Sequence, residues 1–171
     1  FFARWGNRQE TLDTLSPKML SKPKMIITKL NRIEPWCNLT AYPVEAVYWK
    51  EKKYSRIDAA TILFDNIKHI LSNTINKAQG DVIKATKLVN DLFKMQNDFP
   101  IFMAVMDLAW FRPDVINPAS PVPTGIGAVA FLDRLQNHFG FDNHQETCSK
   151  MIELQNEYWP EAKRPFQPID I

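Results

Sequence analysis

The residues with most to offer chemically lie between Phe99 and Gly140. An apolar run from Ile101 to Phe111 is broken by one carboxylate, Asp107, and is followed at once by Arg112. A carboxylate in an apolar helix is costly to bury alone. Asp107 is therefore expected either to pair, with Arg112 as the nearby cation, or to serve in a pocket as an acid, a base or a reader of a polar ligand edge. A link punctuated by Pro113, Pro118, Pro121 and Pro123 then leads to Thr124-Gly125-Ile126-Gly127-Ala128. Two glycines permit a tight backbone there, and the N–H groups at the start of the helix behind them suit a phosphate. An ordinary helix–helix turn is the competing role. Farther on, Asp142 is either a reacting carboxylate or a cap for a helix beginning at Asn143. Near the start, Arg4, Asn7 and Arg8 cluster at a bend, which they either solvate and cap or turn into an anion site.

The elements that must position these groups read as helices. Phe1, Phe2 and Trp5 give apolar mass before Gly6-Asn7 breaks the pattern, and a short helix follows until Ser16-Pro17. Pro23 fits the first turn of a helix with Ile26, Ile27, Leu30 and Ile33 on its apolar face, ending at Pro35-Trp36. Residues 37–54 fit a short strand or a short helix, and Asn38-Leu39-Thr40 has the form of a glycosylation acceptor. Ser55 with Asp58 resembles a capping box. Beyond it Ile57, Ala60, Leu63, Ile67, Leu71 and Ile75 keep the 3.6-residue period, and His69 falls at a surface or boundary position. Gly80 closes that helix and Asp81 opens another through Val82, Ala85, Val89 and Leu92. The run after Asp98-Pro100, apolar nearly all round, is expected to be a buried central helix. A last amphipathic helix runs from Asn143 to Tyr158 through Cys148, Met151 and Leu154, before an extended tail.

Repeated strands and internal repeats are not visible, so the fold class is all-α: a compact helical domain of about seven helices spanning 1–171. At 171 residues and 45% hydrophobic, the chain is long enough to bury a core. No apolar run is long enough to span a bilayer, so no membrane partner is expected. A chain opening at Phe1 without a methionine is expected to be part of a longer protein. Net charge is +2, but residues 1–56 hold eleven Lys/Arg against five Asp/Glu. That excess is either a solvated surface or a face for a phosphate backbone. Cys37 and Cys148 make no disulfide framework and fit reduced thiols in a cytoplasm. Three scattered histidines without a cysteine pair give no zinc pattern.

FFARWGNRQETLDTL, MAVMDLAWFRPD, SPVPTGIGAVAFLDRL and MIELQNEYWP fall in an order that resembles a phage and bacterial group. These are the α-glutamyl/putrescinyl-thymine pyrophosphorylases, with the related helical domain of 5-hydroxymethyluracil DNA kinases. The matched positions are Phe2, Arg4, Asn7, Glu10 and Thr11, then Asp107-Leu108, then Gly125-Ile126-Gly127-Ala128, then Leu154 to Pro160. The family's upstream Pro-Trp-Thr and Phe-x-Asn-Val segments and its downstream Cys-Glu-x-x-Lys-Tyr segment are not in this sequence. The Thr124–Ala128 turn and Asp142 also resemble helix–hairpin–helix DNA glycosylases. Here, however, the interval from Gly127 to Asp142 is shorter, and Asn143 stands where a threonine is common.

The resemblance implies DNA base hypermodification. A phosphorylated or pyrophosphorylated 5-hydroxymethyluracil in DNA would lose its leaving group and receive an amine. The implied partners are DNA containing modified thymine, an amine donor and a larger assembly or fused domain, in the host cytoplasm if the chain is phage-encoded. No cofactor is implied. Arg4, Arg8 and Arg112 would meet the leaving group, Thr124, Gly125 and Gly127 a DNA phosphate, and Asp107 the base or a proton. Asp142 would act in the glycosylase manner. A different class of function is a non-catalytic helical module that docks on DNA or on a protein. Catalysis calls for a polar pocket containing Asp107 and Arg112; docking calls for burial of that pair and a flat apolar patch.

Overall fold

Two side-chain caps start the helices around which the molecule is built. The Ser55 hydroxyl accepts the Asp58 N–H at 3.2 Å and donates to the Asp58 carboxylate at 2.7 Å. Asp81 Oδ1 accepts the Lys84 N–H at 2.6 Å. Each satisfies a backbone donor that a helix start leaves outside its own ladder. The computed structural model describes residues 2–19, 21–38 and 47–170.

In chain order, α1 (Phe2–Gly6), α2 (Gln9–Asp13) and α3 (Pro23–Leu30) precede a two-stranded antiparallel hairpin. Its strands are β1 (Val47–Trp49) and β2 (Lys52–Tyr54), with Val47 opposite Tyr54 and Trp49 opposite Lys52. α4 (Arg56–Asp58) continues through a π-helical turn, Ala59–Leu63, into α5 (Phe64–Asn76). Then come α6 (Val82–Phe93), α7 (Phe99–Phe111), α8 (Ile126–Phe139), α9 (His144–Glu153) and α10 (Gln155–Tyr158). The all-α expectation holds, with the hairpin as its small exception. Residues 37–54 do supply the short strand, while 39–46, which include Leu39 and Thr40 of the acceptor motif, lie outside the described residues. No helix among the described residues is long and apolar enough to cross a membrane.

The core lies where α6 packs on α5 and α7. Trp5, Leu63, Val82, Val89, Phe93, Ile101 and Val105 are buried in it. Phe64 meets Trp5 edge-on at 4.9 Å between ring centroids and Phe93 at 5.6 Å, the geometry that suits the ring quadrupoles. The apolar stripe of α6 faces inward as its period requires.

Several elements depart from the expectation. α7 is not buried on every side: Pro100, Ile101, Ala104, Val105 and Ala109 face the core, while Phe99, Trp110 and Phe111 are exposed. Its all-round apolarity serves a core on one face and a cavity wall on another. α3 ends at Leu30, short of Pro35. The last helix breaks at Leu154, and Tyr158, expected on its apolar face, is exposed. α8 packs on α9, with Gly140 at φ +72° in the turn between them. The helical hairpin is therefore α8–α9, and residues 124–128 end a long connection from α7 instead of forming a tight turn.

That connection is fastened to the corner between α5 and α6. Gly80 stands there at φ +88°, a conformation a side chain disfavours. Its carbonyl accepts the Asn117 N–H at 2.9 Å, and the Ser120 hydroxyl accepts the Val82 N–H at 2.9 Å. Ile116 is fully buried between these two ties. The stretch after α7 thus runs along a fixed path past Arg112 and Asp114.

Candidate functional site

A cavity of about 890 Å³ opens beside α5 and α7. Phe2, Ile26, Phe64, Leu71, Ala104 and Leu108 give it apolar walls. Asp65, Lys68, Ser72, Asn76, Asp107 and Arg112 supply its polar groups. Ala60 and Thr61 reach it from the π-helical turn, where the widened backbone is closed by the Thr61 hydroxyl donating to the Ile57 carbonyl at 2.6 Å. Size and a mostly apolar lining are those of a small-molecule site.

Within it, Asp107 is held by Arg4 and not by Arg112. Arg4 Nε and Nη2 each donate to a separate Asp107 oxygen at 2.6 Å, a fork-to-fork pair with side chains 28% and 34% exposed. α1 packs on α7, and that contact brings together residues 103 positions apart. The expected Asp107–Arg112 pair is corrected for a geometric reason. Arg112 follows the last helical residue at φ −140°, ψ 66°, so the chain has already turned away from the α7 axis. Its guanidinium reaches forward instead, to Asp114 at 2.8 and 2.6 Å. That hydrogen-bonded pairing raises the Arg112 pKa and holds the Asp114 carboxyl below its usual range. Asp107 and Arg112 line the same cavity without pairing, and that cavity is mostly apolar, not the polar pocket that catalysis called for.

The other expected residues lie elsewhere. Asn7 takes a left-handed conformation, φ 45°, with its N–H on the Ala3 carbonyl at 2.9 Å, and so makes the bend. Arg8 donates to Glu10 at 3.3 Å and to the Pro35 carbonyl. Neither lines the cavity. Thr124, Gly125 and Gly127 sit at the open start of α8, also away from it, and a Cβ on either glycine would meet nothing within 4 Å. Thr124 Oγ1 is 3.2 Å from His144 Nδ1, whose Nε2 is 2.7 Å from Asp133, a chain that locks the α8–α9 pair. Asp142 does not cap α9. Asn143 does, its Oδ1 accepting the Glu146 N–H at 3.0 Å, while Glu146 accepts the Asp142 N–H at 3.2 Å. The Asp142 carboxylate is left exposed and outside the cavity.

Three contributors escaped the sequence reading. Asp65 and Lys68, paired at 2.9 Å, bring charge to the cavity from α5. Their i,i+3 spacing beside the apolar stripe was the available signal. Arg56, inside the capping box, donates to the Trp5 carbonyl at 3.0 and 2.6 Å and to the Asn38 carbonyl at 3.2 Å. It pins α1, and with it Arg4, to the start of α4; burial lowers its pKa. Nothing local in the sequence marks this clamp.

Chemically, the site offers an apolar slot, a carboxylate fixed in orientation by a planar guanidinium, and two cationic side chains that are each paired with a carboxylate, Arg112 with Asp114 and Lys68 with Asp65. No group of three or more His, Cys, Asp or Glu placed to hold a metal occurs among the described residues. Comparison with family models, with curated proteins and with solved structures gave no match to this chain.

Proposed function

We propose that this chain acts in DNA base hypermodification, on a phosphorylated 5-hydroxymethyluracil-type base. The observation that carries this reading is the apolar cavity holding Asp107, clamped by Arg4, together with Arg112 and Lys68. The clamp also joins two of the segments in which the sequence resembles thymine pyrophosphorylases. An extruded pyrimidine fits such a slot, with apolar walls for its faces and Asp107 for its polar edge. In the reaction, the amine nitrogen forms a bond to the 5-methylene carbon. The carbon–oxygen bond to the phosphate or pyrophosphate breaks, and the leaving group keeps that electron pair. Arg112 and Lys68 stabilise its charge, and the proton the amine sheds passes to solvent, because both Asp107 oxygens already accept from Arg4. Arg4 is a positioning residue, Thr124, Gly125 and Gly127 belong to a separate backbone-docking face, and Asp142 has no part in this scheme.

The test is binding to a short duplex carrying 5-hydroxymethyluracil or its phosphate, against plain thymine, at two salt concentrations. Preference for the modified duplex, lost in Arg112→Ala and Asp107→Asn, is the expected result. Removing one phosphate-contacting cation should also flatten the log–log salt slope by about one. Equal, salt-sensitive binding to all duplexes would reduce the chain to a docking module, and no binding would leave a protein-interaction module.

A further inference from the structure

We infer that Phe111 is a stacking wedge, and that the base reaches the cavity from within a duplex instead of as a free nucleotide. The inference rests on the base-modification reading above. Phe111 is 81% exposed, the most exposed large apolar side chain among the described residues, yet it lines the cavity that holds Asp107. Both neighbours are fixed. Trp110 lies under the Arg164 guanidinium at 4.1 Å, a cation–π contact, and Arg112 is clamped to Asp114 with its N–H on the Leu108 carbonyl at 2.7 Å. The backbone at the end of α7 is thereby held, and the ring projects from a rigid platform.

A ring held in water beside a cavity is disfavoured until something flat covers it. Taking a base out of a duplex leaves a gap in the stack, and an inserted apolar side chain offsets that unstacking. A free nucleotide leaves no gap and gives the ring nothing to fill. The wedge therefore selects duplex substrate, which the cavity alone would not.

The experiment compares wild type, Phe111→Ala and Phe111→Trp, each confirmed folded by its melting temperature. Anisotropy gives affinity for the 5-hydroxymethyluracil duplex and for free 5-hydroxymethyldeoxyuridine monophosphate, and 2-aminopurine beside the target base reports unstacking. Phe111→Ala should weaken duplex binding by about tenfold or more, abolish the fluorescence rise and leave nucleotide binding unchanged, with Phe111→Trp restoring both duplex signals. Equal weakening of duplex and nucleotide would make the ring an ordinary pocket wall, and no effect on either would give it no role. Both results overturn the wedge and leave the base-modification reading standing. Wild-type protein that prefers neither modified ligand overturns that reading, and the wedge with it.

Discussion

Arg4 and Asp107 meet through a fork, and a fork is a demand on shape as well as charge. Lysine keeps the charge and loses the second parallel hydrogen bond, so Arg4→Lys is not a conservative change. The pair is about one-third exposed, which discounts its contribution for solvent screening. Arg4→Lys is expected to lower stability by about 1 kcal/mol, a loss a urea titration resolves. Asp107→Asn should cost a similar amount, and the double variant less than the sum of the two, because one interaction is removed once. Full additivity would mean that the two side chains stand side by side without coupling. Part of this arrangement was legible in the sequence. A lone carboxylate within an apolar run announces that it needs a partner, and Arg4 was already a candidate cation. What could not be read was the pairing, since α1 packing on α7 is a tertiary fact and proximity in sequence favoured Arg112.

At the scale of elements, the caps were the most legible features, because each depends on two residues a fixed distance apart. Ser55 and Asp81 cap as their spacing calls for, although the Asp58 carboxylate accepts from the Ser55 hydroxyl, where a full capping box would have it accept the Ser55 backbone N–H. α7 was less legible, since apolarity on every side says that water is unwelcome but not whether a core or a cavity replaces it. The α8 start is ambiguous in the sequence for a related reason: Gly-x-Gly is compatible with a tight turn without requiring one, and Gly125 sits at an ordinary φ of −77°. Gly80 is the glycine whose conformation matters. Alanine there would be strained at φ +88° and would place a Cβ 3.4 Å from Asn117. Gly80→Ala should destabilise by about 1–2 kcal/mol, whereas Gly125→Ala should be near neutral in the same thermal melt. The loss should be accompanied by weaker ligand binding, because the Asn117 tie fixes the path of the chain beyond Arg112.

Across the whole molecule, the C-terminal stretch returns to the end of α7. Gln155 is buried, donating to the Arg164 carbonyl at 2.8 Å and accepting the Phe166 N–H at 2.6 Å. Ile169 is buried in the main core, and Arg164 reaches Asp170 at 2.7 and 2.8 Å while covering Trp110. None of this was visible in a sequence that reads only as extended after Trp159-Pro160, because an irregular segment is held by contacts and not by periodicity. The hydrogen bonds from Arg164 hold the Asp170 carboxyl below its usual range. A carboxyl whose pKa is depressed on folding stabilises above its unfolded pKa, and the contribution disappears as pH falls through the folded value. Wild type should therefore melt above Asp170→Asn near neutral pH, by a margin worth under about 1 kcal/mol because the pair is partly solvated. The two curves should converge once the pH falls below about 4 and through the depressed value. The tether also bears on the cavity: with Asp170 neutral, Arg164 is less firmly held over Trp110, and the platform under Phe111 loosens. Asp170→Asn should then weaken binding of the modified duplex at neutral pH more than binding of the free nucleotide. A melting gap that stays constant from neutral pH to pH values below the carboxylate range would show that the carboxylate charge plays no part in holding the tail.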